Sequence, residues 1–188
     1  MNKLFVDYQE YKFLTAKICR DITMSGWKPD YVVGITRGGL NPAVMISHYF
    51  DIPCHTLKIS LRDSEENNCE SNLWMADDAF GYIPWEGNNP PPKNRVSSDS
   101  NLRKNILIVD DINDTGATVN WILKDWSESC LPNDPAWNDI WNNNVKFAVL
   151  VDNLSSIAQV KMDYSGIEIN KANNDLWVLF PWENWWLK

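Results

Sequence analysis

The amino-acid sequence predicts an α/β fold in which helices flank a parallel β-sheet. Continuous apolar runs at 31–36, 105–110 and 145–151 are typical of parallel strands, which are buried on both faces. Helical segments lie between these runs, and such alternation favours βαβ units. Short motifs rich in glycine and acidic residues directly follow two of the strands, where ligands bind in sheets of this kind.

The first predicted element is an amphipathic helix over 7–24. Its apolar residues Leu14, Ile18 and Ile22 recur at intervals of four and therefore lie on one face. Gly26 follows the last of them and is a typical end signal for a helix. We therefore expect this helix to pack one apolar face against the sheet.

The later helices are predicted from apolar residues at helical spacing, and the later strands from alternating or continuous apolar residues. They are a strand at 31–36, a helix at 40–50, strands at 54–61 and 105–110, a helix at 116–129, and strands at 145–151 and 176–181. The strand at 54–61 shows apolar residues at alternate positions, whereas the helix at 116–129 carries an apolar stripe at helical spacing. At this length the prior is a single domain, over 1–188.

The segment 62–104 differs from the rest of the chain because it is long, polar and rich in proline. Such a connection inside a compact domain is usually functional or mobile, and we expect a partly ordered flap. A solvated surface loop without a catalytic role is the alternative. The cations available to this region are Arg62, Lys93, Arg95, Arg103 and Lys104.

Composition restricts the class of protein. The 188 residues carry a formal net charge of −8, so the chain lacks the basic surface that general nucleic-acid binding requires. No apolar stretch is long enough to span a membrane, and the N-terminus lacks the apolar core of a signal peptide. The four cysteines show no Cys-x-x-Cys spacing, which favours a reduced, cytoplasmic protein without a zinc site.

The most informative segment is 106–118, where an apolar strand leads into the adjacent carboxylates of Asp110 and Asp111. Asp114 comes next, and four residues then open the following helix: Thr115, Gly116, Ala117 and Thr118. The free N–H groups of such a turn suit a phosphate. Adjacent carboxylates would repel one, so Asp110 and Asp111 are expected to face sugar hydroxyls or hydrated Mg²⁺. An acidic helix cap is the alternative, but a cap needs only one such residue.

A second motif, Thr36-Arg37-Gly38-Gly39, directly follows the strand at 31–36. The Arg37 guanidinium is a fork of donors for a diphosphate, and the glycines let the backbone approach it. Because the carboxyl ends of parallel strands meet at one edge of a sheet, we expect both motifs to line one crevice.

Segment 106–118 resembles the phosphoribosyl-pyrophosphate (PRPP) loop of the type I phosphoribosyltransferases and matches its pattern at every position. Segment 33–39 is similar to the pyrophosphate loop of the xanthine–guanine and hypoxanthine (purine) enzymes of that family, where the peptide before the arginine is often cis. The resemblance implies an α/β fold with a small hood and a long inserted flexible loop at 62–104. It also implies transfer of the 5-phosphoribosyl group of PRPP to a base, with a purine expected. The products would be a nucleoside 5′-monophosphate and pyrophosphate.

The same resemblance implies where PRPP binds. Its 5′-phosphate would lie on the 114–118 turn, its ribose hydroxyls beside Asp110 and Asp111, and its diphosphate on 36–39. Mg²⁺ is the implied cofactor, because the family binds PRPP together with this ion.

The resemblance also assigns catalytic and metal-binding residues. Asp114 would exchange a proton with a ring nitrogen of the base, and Arg37 would neutralise the leaving diphosphate. Asp111 and Glu183 are the implied metal ligands.

Segment 176–183 resembles the segment that closes the purine site, within an implied hood region of 152–188. Trp177 would stack on the base and the backbone of Val178 would read its edge. The family places a lysine at the end of the strand 145–151, whereas this chain has Asp152, which would accept a hydrogen bond from an exocyclic amine.

Three alternatives concern the base and the activity. The family's lysine holds the 6-oxo group of the purine, and Lys161 or Asn153 could supply that hydrogen-bond donor in this chain. A PRPP- or nucleotide-binding regulator of the same fold would lack turnover, and a transferase for a pyrimidine or another acceptor would use the same stacking residue. Family likeness also implies a homo-oligomer, either a dimer or a tetramer.

Overall fold

The computed structural model describes residues 2–61, 69–81, 102–132, 134–174, 176–183 and 185–186. The strands are β1 (Asn2–Phe5), β2 (Tyr31–Thr36), β3 (Cys54–Lys58), β4 (Ile106–Asn113), β5 (Val145–Asn153), β6 (Tyr164–Ile169) and β7 (Leu176–Leu179). The helices are α1 (Tyr8–Ser25), α2 (Leu40–Phe50), α3 (Leu73–Phe80), α4 (Ala117–Ser129) and α5 (Trp137–Ile140). Five of the strands form a parallel sheet in the order β3-β2-β4-β5-β6.

Two apolar layers cover the two faces of this sheet. One layer contains Ile18 of α1 and Ile46 of α2, and the other contains Phe80 of α3 and Ile122 of α4. These side chains are fully buried. The central strands are therefore enclosed on both faces, which explains their continuous apolar sequences and confirms the predicted α/β class.

Helix α1 follows its sequence signals closely. Its N-cap Asp7 accepts a hydrogen bond from the backbone N–H of Glu10 at 2.8 Å. Gly26 ends the helix in the left-handed conformation, with φ of 72°, which glycine adopts without a steric penalty. The predicted apolar face, including Leu14 and Ile22, is buried.

The segment 62–104, predicted as a partly ordered flap, contains one packed helix, α3. Met75 and Phe80 of α3 are buried in the same layer as α4. The flanking ranges 62–68 and 82–101, with Arg62, Lys93 and Arg95, lie outside the described residues. The apolar residues of 73–80 form a stripe too short to stand out from the polar sequence around it.

The two ends of the chain form a second, smaller sheet in which β1 and β7 pair in parallel. This two-stranded unit corresponds to the small hood implied by the resemblance. The region 152–188 is divided, however, because β6 is the edge strand of the main sheet rather than part of the small one. Ser165, Gly166 and Glu168 make β6 too polar for its sequence to stand out as a strand.

The described ranges contain neither a membrane-spanning helix nor a disulfide. Within the ranges described, no helix combines the length and apolar character needed to cross a membrane. All four cysteines fall in described parts of the chain, and none of them forms a disulfide there.

Candidate active site

The carboxyl ends of β2 and β4 form a crevice at one edge of the main sheet. These strands are neighbours, but β3 lies beyond β2 on one side and β5 beyond β4 on the other, so the direction of winding reverses between them. The β2–β4 ladder ends at Gly34 and Val109, whereas the β4–β5 ladder continues to Asn113 and Asp152. Open α/β sheets bind ligands at such a reversal point.

The loop after β2 packs directly against the end of β4. The Thr36–Arg37 peptide is cis, as the resemblance implies. A Cβ on Gly38 would collide with the carboxylate of Asp111, and one on Gly39 would collide with the carbonyl oxygen of Val109. Both positions therefore require glycine for close approach. The motifs that the sequence predicted in one crevice do meet there.

The acidic pair occupies the late part of β4. Asp110 and Asp111 are both partly exposed, and the backbone N–H of Asp111 donates to Oδ1 of Asp110 at 2.9 Å. The side chain of Asp111 is the one beside Gly38.

The turn that follows β4 presents a helix N-terminus. Gly116 adopts φ of 86° and α4 begins at Ala117, whose N–H donates to Oγ1 of Thr115 at 3.3 Å. The first N–H groups of a helix have no partner within it, so this turn can hold an anion. Thr118 lies in the first turn of α4 and is partly exposed.

Ile157 and Ala158, in the loop after β5, pack against this turn and hold it in place. The N–H of Ile157 donates to the carbonyl oxygen of Thr115 at 3.0 Å, and Nδ2 of Asn120 donates to the carbonyl oxygen of Ile157, also at 3.0 Å. A Cβ on Gly116 would meet the backbone of Ala158. Close approach as well as positive φ therefore requires glycine at 116.

Asp114 forms an ion pair that the sequence did not predict. Its Oδ1 lies 2.7 Å from Nζ of Lys171, which follows β6. The side chain of Asp114 is 42% exposed, whereas that of Lys171 is only 19% exposed. Nδ2 of Asn153 donates to the carbonyl oxygen of Asp114 at 2.7 Å, and Oδ1 of Asn153 accepts the N–H of Lys171 at 3.0 Å.

Asp152 is engaged within the sheet. Its Oδ1 accepts a hydrogen bond from Nδ2 of Asn113 at 2.8 Å. Burial raises the pKa of Asp152, the bond from Asn113 opposes that rise, and the nearby charge of Glu168 adds to it. Oδ1 of Asp152, which stands at the position of the family's lysine, is therefore directed to the neighbouring strand β4.

Two of the residues predicted to contact the base, Trp177 and Val178, lie on the small sheet. Trp177 is 40% exposed, while Val178 of the same strand is buried. Oε2 of Glu183 accepts the backbone N–H of Phe180 at 3.1 Å, so its carboxylate caps its own turn. Among the described residues, no group of three His, Cys, Asp or Glu side chains is placed to hold a metal ion.

Comparison with known proteins identifies the family. The family model of the phosphoribosyl transferase domain matches residues 5–184. This chain belongs to the phosphoribosyltransferase family. Xanthine phosphoribosyltransferase 1 of Saccharomyces cerevisiae is 20% identical to it over 97% of this chain and 90% of the yeast protein. Hypoxanthine-guanine phosphoribosyltransferase of Schizosaccharomyces pombe is 21% identical over 96% of this chain and 89% of its own.

A solved structure supports the fold of this phosphoribosyltransferase independently. The purine phosphoribosyltransferase from Pyrococcus horikoshii superposes with a TM-score of 0.59 at 23% sequence identity. The match covers 98% of this chain and 96% of the archaeal one. The arrangement of strands and helices is therefore shared over nearly the whole length of both proteins.

Two residues that contact Asp114 in this phosphoribosyltransferase belong to neither sequence motif. They are Lys171, and Asn153, which the sequence suggests only as a direct donor to the base. Lys171 lies beyond the carboxyl end of a parallel strand, as Arg37 does. The signal that could identify Lys171 from sequence is therefore β6 itself, whose polar residues hide it.

Proposed function

We propose that this protein transfers the 5-phosphoribosyl group of PRPP to a nitrogenous base, releasing a nucleoside 5′-monophosphate and pyrophosphate. Family membership supports the phosphoribosyl chemistry. A purine is the favoured base because both curated relatives carry purine bases in their names.

One observation carries this proposal, namely the apposition of Gly38 and Asp111 across the crevice. It brings the donor fork of Arg37 to the same edge as the 114–118 turn. A substrate with phosphate groups at both ends of a sugar matches that arrangement, since one end can meet Arg37 and the other the helix N-terminus. The acidic pair lies between these two anion-binding elements along the chain and suits sugar hydroxyls.

Binding of PRPP follows from this arrangement. The 5′-phosphate accepts backbone N–H groups at 115–118, and the ribose hydroxyls donate to the carboxylates of Asp110 and Asp111. The diphosphate lies on 36–39, where the backbone approaches it and the guanidinium of Arg37 donates to it. Since the chain is acidic overall, these local donors must capture the anionic substrate.

The residues present fit a magnesium ion that arrives with its substrate. Mg²⁺ is usually held by one or two carboxylates together with substrate phosphates, and not by an all-protein cage. Asp111, beside the diphosphate loop, would hold it together with oxygens of PRPP. When bound, Mg²⁺ neutralises negative charge on the diphosphate. Glu183, whose carboxylate caps a turn, is proposed as a second ligand on the resemblance alone.

The chemistry forms one bond and breaks another. The bond between the anomeric carbon and the diphosphate oxygen breaks, its electron pair leaves with the diphosphate, and a ring nitrogen of the base bonds to that carbon. Asp114 accepts the proton that the base loses. Arg37 stabilises the charge on the departing diphosphate, and the nearby carboxylates stabilise positive charge on the sugar ring.

The acceptor base would lie between the 114–118 turn and the small sheet. Trp177 is exposed enough to present a ring face to it, and the backbone of Val178 would bond its edge. Asp152 is proposed to border this site, although its Oδ1 already accepts a bond from Asn113.

We also propose that the protein is a cytoplasmic homo-oligomer. Trp185 and Trp186, 66% and 63% exposed near the C-terminus, are the kind of side chains that subunit interfaces bury. Light scattering after size-exclusion chromatography would measure the mass. A monomeric mass at micromolar concentration would contradict the oligomer.

The activity is tested by incubating the purified protein with PRPP, Mg²⁺ and a mixture of guanine, hypoxanthine, xanthine, adenine and uracil. Mass spectrometry would follow pyrophosphate and nucleotide. A new nucleoside monophosphate from one or more purines is the expected result. PRPP binding without product from any of these bases would contradict transfer to a purine and favour a PRPP-binding regulator or a transferase for another acceptor.

A further inference from the structure

We propose that Asn153 is a positioning residue for the reaction, because its side chain fixes the turn after β4 from which Asp114 accepts the proton of the base. This inference rests on the proposed function, in which Asp114 is the general base. In this role Asn153 itself contacts neither PRPP nor the acceptor. Neither sequence motif contains it.

The side chain of Asn153, at the carboxyl end of β5, joins three segments of the chain. It is only 5% exposed. Its Nδ2 donates to the carbonyl oxygen of Asp114 at 2.7 Å, and its Oδ1 accepts the backbone N–H of Lys171 at 3.0 Å. Oδ1 also accepts the hydroxyl of Ser155 at 2.8 Å. One amide therefore connects the turn after β4, the loop after β5 and the residues that follow β6.

These partners leave a single orientation for the amide of Asn153. The backbone N–H groups of Lys171 and Ser155 are donors and lie beside Oδ1, whereas the carbonyl of Asp114 is an acceptor and lies beside Nδ2. An amide turned over would oppose donors with a donor and an acceptor with an acceptor. Because a buried polar group has no water to replace a lost partner, this arrangement is held firmly.

A second buried amide holds the strand side of Asp114. Asn113 is 6% exposed, and its Nδ2 donates to Oδ1 of Asp152 at 2.8 Å and to Oγ of Ser156 at 2.9 Å. The carboxylate of Asp114 is nevertheless 42% exposed. Its backbone is therefore fixed from both sides while the carboxylate stays accessible to a ligand, which is the preorganisation that proton transfer requires.

The phosphate-binding part of the same turn has attachments of its own. The N–H of Ile157 donates to the carbonyl oxygen of Thr115, and the backbone of Ala158 packs against Gly116. Neither contact uses the side chain of Asn153. Loss of that side chain should therefore displace Asp114 more than it displaces the N–H groups proposed to bind the 5′-phosphate.

The test uses Asn153→Ser, which shortens the side chain and so breaks its contacts with both neighbouring segments. Asn144→Ser is the matched control. Asn144 lies at the opposite end of the same strand, is 7% exposed, and donates from Nδ2 to the carbonyl oxygens of Ala79 and Lys104. Rapid quenching of a single turnover would measure the rate of bond formation, with the purine that the wild-type protein uses fastest. Calorimetry would measure affinity for PRPP with Mg²⁺, and urea unfolding would measure stability.

We expect Asn153→Ser to lower the single-turnover rate by about 10- to 100-fold, the cost of misplacing a reacting group by about an ångström. Affinity for PRPP should stay close to the wild-type value. Both serine variants should unfold at lower urea concentration, since each loses a buried amide, but Asn144→Ser should keep the wild-type rate. An unchanged rate in Asn153→Ser, or a loss of PRPP affinity as large as the loss of rate, would overturn the role of Asn153.

The same substitution in an Asp114→Asn background shows whether Asn153 acts through Asp114. If it does, Asn153→Ser should add little to the loss caused by Asp114→Asn, because the group that it positions is already gone. Losses that multiply would mean that Asn153 has only a structural role, and would overturn the proposal.

A second variant keeps the test decisive if Asn153→Ser does not fold. Asn153→Asp retains the volume and the acceptor of asparagine, but an ionised carboxylate cannot donate to the carbonyl of Asp114. It should show the same loss of rate and the same lack of a further effect in the Asp114→Asn background. Absence of product from every base with the wild-type protein would instead overturn the proposed function.

Discussion

Gly38 and Asp111 pack so closely that the carboxylate of Asp111 fills the space that a Cβ on Gly38 would occupy. Gly38 follows β2 and Asp111 lies in β4, so this contact spans the crevice between the two strands. At the next position, Gly39, a Cβ would meet the backbone of Val109 instead. A methyl group at position 38 would therefore displace the side chain of Asp111, whereas a methyl group at position 39 would displace the backbone of β4.

This difference predicts separate effects for two neighbouring substitutions. Gly38→Ala should weaken PRPP binding by about 10-fold, or roughly 1.4 kcal/mol, because it displaces Asp111 without disturbing the strands. Gly39→Ala should lower the free energy of unfolding by about 1–3 kcal/mol, as overpacking does. Calorimetric titration with PRPP and Mg²⁺, together with urea unfolding, would measure both quantities.

The control for this pair is Gly26→Ala, where a Cβ meets no atom within 4 Å but φ is 72°. It should lower stability by about 1–2 kcal/mol through backbone strain alone and leave PRPP affinity unchanged. If Gly38→Ala bound PRPP as tightly as the wild-type protein, Asp111 would not be a substrate ligand.

Asp114→Asn should lower kcat by about 10²- to 10⁴-fold, the usual contribution of a general base. PRPP affinity should change little, because asparagine can still accept the hydrogen bond from Lys171. Steady-state kinetics and PRPP titration would separate the two effects. Asp139→Asn, at an exposed position on α5, is the matched control. Unchanged kcat in Asp114→Asn would exclude this residue as the base.

Trp177→Ala should raise KM for the base by about 10- to 100-fold, since stacking of a base on an aromatic ring contributes about 1–3 kcal/mol. Trp177→Phe retains a ring and should stay within a few-fold of the wild-type value. Initial rates at saturating PRPP would give KM for the base. Phe13→Ala removes an exposed aromatic ring on α1 and should leave KM unaltered. A normal KM in Trp177→Ala would show that the base lies elsewhere.

We expect Asp163 to make a pH-dependent contribution to the free energy of unfolding. Burial raises its pKa above the usual 3.8, although hydrogen bonds from Phe147 and Asn142 oppose that rise. A carboxyl group with a raised pKa in the folded protein stabilises it fully below pH 3.8 and loses that contribution as pH rises through the folded-state value. The unfolded state then gains relative stability as the carboxyl ionises.

Asp163→Asn removes this titration. Both hydrogen bonds end on Oδ2, at 2.9 Å each, so the single carbonyl oxygen of asparagine can accept both. The stability of the variant relative to the wild-type protein should therefore increase as pH rises above 3.8 and level off once the folded carboxyl has ionised. Urea unfolding at several pH values would measure it. A difference that stays constant with pH would contradict the raised pKa of Asp163.

Features that depend on residues adjacent in the chain can be predicted from the sequence. The acids and glycines at 36–39 and 110–118 follow apolar strands, and parallel strands bring their carboxyl ends together, so the shared crevice could be inferred from the sequence alone. The capping of α1 by Asp7 and Gly26 likewise depends on neighbours in the chain. Helix α3 and strand β6 cannot be predicted in this way. The apolar stripe of α3 is short and the sequence of β6 is polar, so both depend on packing against the rest of the fold.

The sequence by itself determined the fold class, the family motifs and the edge of the sheet at which substrate binding is proposed, because these depend on periodicity and on residues adjacent in the chain. Only the tertiary structure decided which side chains from distant segments meet. The ion pair of Asp114 with Lys171, and its support by Asn153, join the ends of β4, β5 and β6. Such contacts depend on strand order and register, and no local pattern in the sequence encodes either.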